Sequence, residues 1–255
     1  MTLHPSRLLR AARAVWRRDR SILTPLAGLF LFVPQWALLL LVPALPTIGE
    51  GSSPEATLAA FSAWISAHAG LYVLAGLASQ FGMLAVAALY VGEGAGRTGS
   101  ALARAVRAFP RFLLALLLVW LPVALGGTVL LSATGPAAAF AVMPLLYVLA
   151  VALLMLVAPA VAAGEPAARA IGRALAVSRG SRLPLAGLAA GLSITGQVVA
   201  ALPVALAHQL QVTGRENPLV VALLDAGAAG ALAAASLMVA LIGAIAYRVL
   251  GSAPR

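Results

Sequence analysis

Five long stretches of the chain contain no charged side chain, and this restricts the fold more than any other feature of the sequence. They cover residues 21–49, 56–92, 112–164, 183–214 and 226–247. About 20 apolar residues in a helix cross the ~30 Å hydrocarbon core of a bilayer. Each stretch is long enough to cross once, and the third, with 53 residues, is long enough to cross twice.

The third stretch is interrupted by Ser132-Ala133-Thr134-Gly135-Pro136, which is typical of a tight turn. Lipid offers no partner to unpaired backbone groups, so each crossing is expected to be a helix. Only 9% of the residues are charged, against roughly 25% in soluble domains. We therefore predict an all-α membrane protein that forms a single multi-pass domain over residues 1–255. Its six transmembrane helices, arranged as three hairpins, are expected at about 22–45, 68–92, 111–132, 137–162, 183–207 and 221–248.

The orientation of the chain follows from its arginines, which supply all 17 basic residues. Sixteen of them lie before the first span, between spans two and three, between spans four and five, or after span six. Arg215 alone falls in the opposite set of loops, together with Glu50, Glu55 and Glu216. By the positive-inside rule both termini are expected in the cytoplasm. Topology explains the basic excess, so we expect no nucleic-acid partner.

The cytoplasmic segments predict a basic, amphipathic interfacial helix before each hairpin. In residues 97–111 one helical arc carries Leu102, Val106 and Phe109, and the arginines lie opposite. Such helices sink an apolar face among acyl chains, and anionic headgroups attract their basic face. We expect lipid-phosphate contacts from five arginines: Arg104, Arg107, Arg111, Arg169 and Arg173. The alternative is that these arginines only fix topology and anchor the helices.

A short repeat suggests that the hairpin and its basic helix form one unit. The pentapeptide Pro25-Leu26-Ala27-Gly28-Leu29 recurs at residues 184–188, and each copy begins five residues after an arginine, Arg20 or Arg179. The predicted repeat units cover about 5–92, 97–162 and 166–249.

Four polar side chains stand out within or near the spans. Gln35, Gln80 and Gln197 are amides at membrane depth, which would cost several kcal/mol if they were unpaired in hydrocarbon. We expect them to face the bundle interior and form interhelical hydrogen bonds, with ligand contact as the alternative. Asp225 is the only carboxylate that could lie within a span. It is a functional candidate if buried, whereas an interfacial position would place it near Arg215 or His208.

Small residues predict close helix packing, and no pattern predicts catalysis. Gly187 with Gly191 forms a GxxxG pair, and Ala226 with Gly230 forms a similar pair. The chain has no cysteine, its three histidines are far apart, and no catalytic, metal-binding or phosphate-loop motif occurs. We expect no cofactor, no metal and no enzymatic activity.

The segment Ala170-Ile171-Gly172-Arg173-Ala174-Leu175-Ala176-Val177-Ser178-Arg179-Gly180, which follows Ala158-Pro159-Ala160-Val161, resembles a signature of a bacterial membrane family. This is the glycerophosphoryl diester phosphodiesterase membrane-domain family, and residues 10–26 are similar to its opening helix. The resemblance implies a six-span protein of the bacterial inner membrane. The family is named after members joined to a soluble catalytic domain, to which nothing in this chain corresponds, so the resemblance does not imply catalysis.

The leading hypothesis is a non-enzymatic inner-membrane protein that organises membrane lipids or partner proteins through its cytoplasmic arginine helices. Its expected partners are anionic lipid headgroups and a membrane or cytoplasmic protein. An alternative is a small-solute or lipid transporter that uses helices kinked at Pro34, Pro122 and Pro203, together with Asp225. A second alternative is a lipid-processing enzyme, which would require His208, Asp225 and Arg215 to converge.

Overall fold

The computed structural model describes residues 4–43, 53–92, 97–134, 136–213 and 217–251, and these residues contain helices and no strand. The elements are α1 (Pro5–Ala27), a π-helical segment (Gly28–Phe32), α2 (Val33–Leu41), α3 (Pro54–Tyr90), α4 (Thr98–Thr134), α5 (Pro136–Ala162), α6 (Ala167–Val177), α7 (Arg182–Val212) and α8 (Pro218–Gly251). The π segment joins α1 to α2, so these three elements form the first span.

Six of the resulting helices are long and apolar enough to cross a membrane, which confirms the predicted number of spans. Their outer faces carry large apolar side chains, among them Leu117, Leu121 and Leu125 on α4 and Val198 and Leu202 on α7, all more than half exposed. A soluble protein does not expose so continuous an apolar surface. The fold therefore indicates a multi-pass membrane protein.

Two helices extend well beyond the predicted spans. α3 begins at Pro54 rather than near residue 68, because the Ser53 hydroxyl accepts a 3.2 Å hydrogen bond from the Ala56 amide and caps the helix. α4 is unbroken from Thr98 to Thr134. The expectation of a separate interfacial helix over 97–111 was therefore wrong. Pro110 lies within α4 without ending it, and the basic segment continues directly into the third span.

The other two basic segments are separated from their spans by different means. α1 bends at Asp19, whose backbone angles, φ −108° and ψ 19°, are not helical. α6 is a distinct helix, and Gly180, with φ +83°, turns the chain between α6 and α7. Only the third segment thus forms a helix of its own.

The inner faces of all three basic segments pack on the protein rather than in lipid. Leu8 and Ala12 of α1, Ala105 of α4, and Ala170 and Ala174 of α6 are each at most 4% exposed. Alanine allows close approach between helices, so it faces the bundle while larger apolar side chains lie at the flanks. Of the predicted apolar arc of α4, Leu102 and Phe109 are half-buried and pack against the core. The prediction was wrong for Val106, which is 58% exposed, whereas its neighbour Ala105 is fully buried.

The spans pack in a cyclic pattern. Counted along the chain, the second, fourth and sixth spans are the helices α3, α5 and α8, and these three helices contact one another at the centre of the bundle. The first, third and fifth spans lie around them, and each packs on two of these central helices. The first span (α1 and α2) packs on α3 and α8, the third (α4) on α5 and α3, and the fifth (α7) on α8 and α5. The basic helix α6 packs on the even-numbered span that precedes it, α5, and the basic helix α1 packs in the same way on α8, the last span of the cycle. The three-unit repeat remains a prediction, and this cyclic pattern supports it.

The closest helix contact lies at a glycine that the sequence motifs did not indicate. At Gly243 of α8 a Cβ atom would collide with the backbone carbonyl of Met155 in α5. A Cβ atom at Gly187, Gly191 or Gly230, by contrast, would meet no neighbouring atom within 4 Å. The expectation that these three glycines mark a tight packing face was wrong, because residue spacing alone does not show which face meets another helix.

Candidate functional site

A cavity of about 320 Å³ lies among the spans and receives side chains from all six of them. Its polar and aromatic lining residues are Gln35, Ser79, Gln80, Trp120, Tyr147, Ser193, Gln197 and Ser236. The three glutamines are far apart in sequence, on α2, α3 and α7. The fold brings them together at this one cavity, where Gln35 and Gln80 are half-buried and Gln197 is exposed.

The cavity lies near the middle of the predicted bilayer. Gln197 comes fifteen residues after Arg182, which corresponds to about 22 Å along α7 at 1.5 Å per residue. Ser236 comes twelve residues before Arg248, or about 18 Å along α8. The arginines mark one boundary of a hydrocarbon core that is ~30 Å thick. Both lining residues thus lie well inside it, and we refer to this cavity as the mid-depth cavity.

The polar groups of the mid-depth cavity do not satisfy one another. The Ser79 hydroxyl is buried without a hydrogen-bond partner. Within the described part of the chain, no hydrogen bond is formed by the side-chain amides of Gln35, Gln80 or Gln197. Among these residues, the expected interhelical hydrogen bonds of the three amides are not seen, and the alternative, contact with a ligand, stays a prediction. Unpaired amides in hydrocarbon are costly, so the lining suits water or a polar solute that pairs with them.

The chemistry of the lining is neutral. All the residues that line the mid-depth cavity are uncharged. Trp120 and Tyr147 form an aromatic pair at one wall, with ring centroids 5.4 Å apart and an interplanar angle of 43°. Amides and hydroxyls both donate and accept hydrogen bonds. The cavity is thus equipped to hold a polar molecule without net charge.

Asp225 lies elsewhere, near the end of α8 that is remote from the arginines. It is 23 residues from Arg248, about 34 Å along the helix, which places it at the far edge of the core. Its side chain is nevertheless only 7% exposed, because protein covers it. Nearby, the Trp36 indole donates a 3.1 Å hydrogen bond to the Ala222 carbonyl and ties α2 to α8. Asp225 is therefore interfacial in depth and buried within the protein.

The constellation required for a lipid-processing enzyme is not seen. His208 is exposed whereas Asp225 is buried, and no hydrogen bond joins them in the structure. Arg215, the third member, lies outside the described residues, as do Glu50 and Glu216. In the described ranges no group of three or more histidines and acids could hold a metal ion.

The five arginines predicted to contact lipid phosphate fall into two groups. Arg107, Arg111 and Arg169 are exposed. Arg104 is half-buried and donates a 2.7 Å hydrogen bond to the Ala88 carbonyl near the end of α3. Arg173 is also half-buried and donates a 2.9 Å hydrogen bond to Glu165 Oε1. The structure thus brings two of the five onto the bundle and leaves three on its surface.

A second cavity, of about 400 Å³, lies at the arginine end between the last turns of α3 and α8. We call it the arginine-end cavity, and its lining includes Tyr90, Gly92, Arg173, Tyr247 and Arg248. Tyr90, Tyr247 and Arg248 were not predicted as site residues from the sequence. One signal was available, since α3 and α8 both carry a tyrosine in their last turns, where amphipathic rings favour a membrane interface.

Comparisons of the chain with family models, with curated proteins and with solved structures gave no match. The fold indicates a multi-pass helical membrane protein, with a neutral polar cavity among its spans. The resemblance to the glycerophosphoryl diester phosphodiesterase membrane-domain family remains an expectation.

Proposed function

We propose that this protein binds a neutral polar small molecule in the mid-depth cavity and carries it across the membrane without catalysing a reaction. The observation that carries this proposal is the convergence of Gln35, Gln80 and Gln197, from three separate helices, on one cavity. Ordinary bundle packing would pair these amides with one another, and here they are unpaired. The transporter alternative is thereby favoured over the role as a lipid organiser.

The helices around the mid-depth cavity are irregular at two points. The π segment Gly28–Phe32 ends three residues before Gln35, and Pro34 begins the next helix. Pro203 lies within α7, six residues after Gln197. Proline removes a backbone hydrogen bond, and π-helical turns occur frequently at functional sites. These irregularities give the first and fifth spans places to bend beside the ligand, as alternating access requires.

The lining defines the class of solute. A charged solute would lose its hydration in a cavity that offers no opposite charge, at a cost of several kcal/mol. A solute with several hydroxyl or amide groups would pair with the three amides and three hydroxyls, while Trp120 and Tyr147 would cover its apolar face. The volume of about 320 Å³ suits a molecule the size of a polyol or a monosaccharide.

The orientation of this carrier follows from its charges. We propose that it resides in the bacterial inner membrane with both termini in the cytoplasm, as the positive-inside rule predicts. The arginine-bearing segments α1, α6 and the start of α4 would then lie on the cytoplasmic side.

Uptake by proteoliposomes tests the proposal. Purified protein is reconstituted in neutral lipid, and uptake of radiolabelled glycerol, mannitol and urea is measured against protein-free liposomes. We expect faster uptake of at least one solute, and a reduction of about tenfold on Gln197→Leu, which removes a hydrogen bond and leaves its partners unpaired. Gln211→Leu is the matched control, because it removes an exposed amide from the same helix.

The outcomes separate the alternatives. Unchanged folding and lost uptake in Gln197→Leu, with normal uptake in Gln211→Leu, would support the carrier. Equal uptake by all variants, or no uptake above protein-free liposomes, would contradict it. Strong destabilisation by Gln197→Leu would assign the amide to packing and likewise oppose the carrier.

The exposure of Arg107, Arg111 and Arg169 favours a second candidate function, the organisation of anionic lipid around the protein. The apolar faces of their segments pack on the bundle, so the guanidinium groups point away from it towards the headgroup region. Enrichment of phosphatidylglycerol in the lipid copurified with wild-type protein, and its loss when all three arginines are changed to glutamine, would support this function. Equal enrichment in both proteins would count against it.

A further inference from the structure

The arginine-end cavity gathers positive charge from three separate helices. Arg173 and Arg248 line it from α6 and α8. Arg104 approaches it behind Gly92, where a Cβ atom would lie 3.7 Å from Arg104 Nη1. We propose that this cavity is a binding site for a phosphate group. The site does not depend on what the mid-depth cavity binds.

The first argument is that guanidinium donors are left unused. The Nε atoms of both Arg104 and Arg173 are buried and have no hydrogen-bond partner among the described residues. Buried donors are normally satisfied, and a charged one that is not incurs a larger penalty than a neutral one. Guanidinium presents its donors in a planar fork that matches two oxygens of a phosphate. A phosphate in this cavity would supply acceptors to the two guanidinium groups that line it, those of Arg173 and Arg248.

The second argument is the balance of charge. Glu165 lies 2.9 Å from Arg173 and offsets its charge. Neither Arg104 nor Arg248 has an ion pair within the described ranges. Two positive charges therefore remain at the cavity, and a phosphate that carries one to two negative charges would compensate them.

The third argument is that the walls hold the guanidinium groups in place. The guanidinium carbon of Arg173 lies 5.9 Å from the centre of the Tyr247 ring, within the range of a cation–π contact. Gly92 has φ +96°, so glycine is favoured there and no side chain intrudes between Arg104 and the cavity. Tyr90 contributes its ring as a wall, because its hydroxyl already donates to Asp19. Arg104 and Arg173 are thus restrained before a ligand binds, which lowers the entropy cost of binding.

Phosphate could come from a lipid headgroup or from a soluble ion, and two binding measurements distinguish these sources. The full-length protein is purified in an uncharged detergent. Native mass spectrometry then counts bound dioleoyl phosphatidic acid, and isothermal titration calorimetry measures binding of inorganic phosphate. Retention of phosphatidic acid without binding of inorganic phosphate assigns the site to lipid headgroups. Binding of inorganic phosphate that displaces the lipid assigns it to phosphate groups in general.

Substitutions of the arginines test whether the phosphate group binds in the arginine-end cavity. We expect Arg248→Gln to weaken binding of the retained species about tenfold, because one charge-assisted contact is lost. Arg248→Lys should restore part of the affinity. Arg13→Gln is the matched control, since it removes an equal charge from an exposed position at the same end, on α1. Arg173→Gln provides a second cavity variant, and Arg248→Gln avoids the risk that loss of the Glu165 contact disturbs folding.

Each result decides the proposal. Weaker binding in Arg248→Gln and Arg173→Gln, with unchanged binding in Arg13→Gln, supports a phosphate site in the arginine-end cavity. Equal weakening in all three variants would reflect net charge alone and would overturn it. Failure of the wild-type protein to bind either phosphatidic acid or inorganic phosphate would overturn it as well.

Discussion

The hydroxyl of Tyr90, in the last turn of α3, donates a 2.8 Å hydrogen bond to Oδ2 of Asp19, at the bend of α1. Arg18 donates to both oxygens of the same carboxylate, each at 2.9 Å. Asp19 therefore joins the basic segment of α1 to the end of α3, beside the arginine-end cavity. The bend is fixed to the bundle by side-chain contacts as well as by the packing of Leu8 and Ala12.

We expect Tyr90→Phe to lower the free energy of unfolding by about 1 to 3 kcal/mol, the usual worth of a hydrogen bond to a charged group. The measurement is unfolding in mixed micelles with increasing sodium dodecyl sulfate. Tyr72→Phe on the same helix is the control, because Tyr72 is exposed and its ring contact with Trp64 survives the change. Equal stability of Tyr90→Phe and wild type would show that the contact contributes nothing.

The contact between α5 and α8 predicts a large difference between two glycines of α8. Gly243→Ala should destabilise the protein by about 3 kcal/mol, because its methyl group would collide with the Met155 carbonyl and force the helices apart. Gly230→Ala meets open space and should be neutral or stabilise by up to about 1 kcal/mol through helix propensity. Both are compared by the same micelle titration, and similar losses in the two variants would contradict the packing of α5 on α8.

The number of spans could be predicted from the sequence, because a helix that crosses lipid excludes charged side chains over about 20 residues. The residues at which the helices begin and end could not be predicted in the same way. α3 and α4 continue as helix into polar sequence, where neither charge nor hydropathy marks a boundary. Caps such as Ser53 decide those ends through local backbone contacts.

Site residues could be predicted from the sequence where their type is rare within a membrane span, and could not where their type is common. Three amides in hydrocarbon stand out, and the cost of exposing them to lipid predicted that they face the bundle interior. The cavity that they share was not predicted. Tyr90, Tyr247 and Arg248 lie at helix ends, where tyrosine and arginine are common in any membrane protein. Only the packing of α3 on α8 brings them together, and a single sequence does not show which helices meet.

Asp225 provides a third prediction, because its position separates it from the mid-depth cavity. It is buried, and the described residues give it neither a hydrogen bond nor an ion pair. Asp225→Asn keeps the shape of the side chain and removes a buried charge, so we expect stability at neutral pH to rise by about 1 to 3 kcal/mol. Solute uptake should remain unchanged, because Asp225 does not line the cavity.

The control for this variant is Asp19→Asn, which removes a carboxylate that has partners and should therefore destabilise the protein. Loss of stability in Asp225→Asn would reveal a favourable partner for that carboxylate. Loss of uptake without loss of stability would instead link Asp225 to transport and would contradict a carrier that depends on the mid-depth cavity alone.

The orientation can be tested directly because the chain contains no cysteine, so any single introduced thiol reports on one position. Ala168 of α6 and Gln211 of α7 are both exposed and lie at opposite ends of the bundle, and neither substitution changes the charge. We expect a membrane-impermeant maleimide to label Gln211→Cys in cells with a permeabilised outer membrane and Ala168→Cys only in inverted vesicles, because the arginine-rich end remains in the cytoplasm. The reverse pattern would place the arginines outside, and labelling of both positions from one side would show that α7 does not cross the membrane.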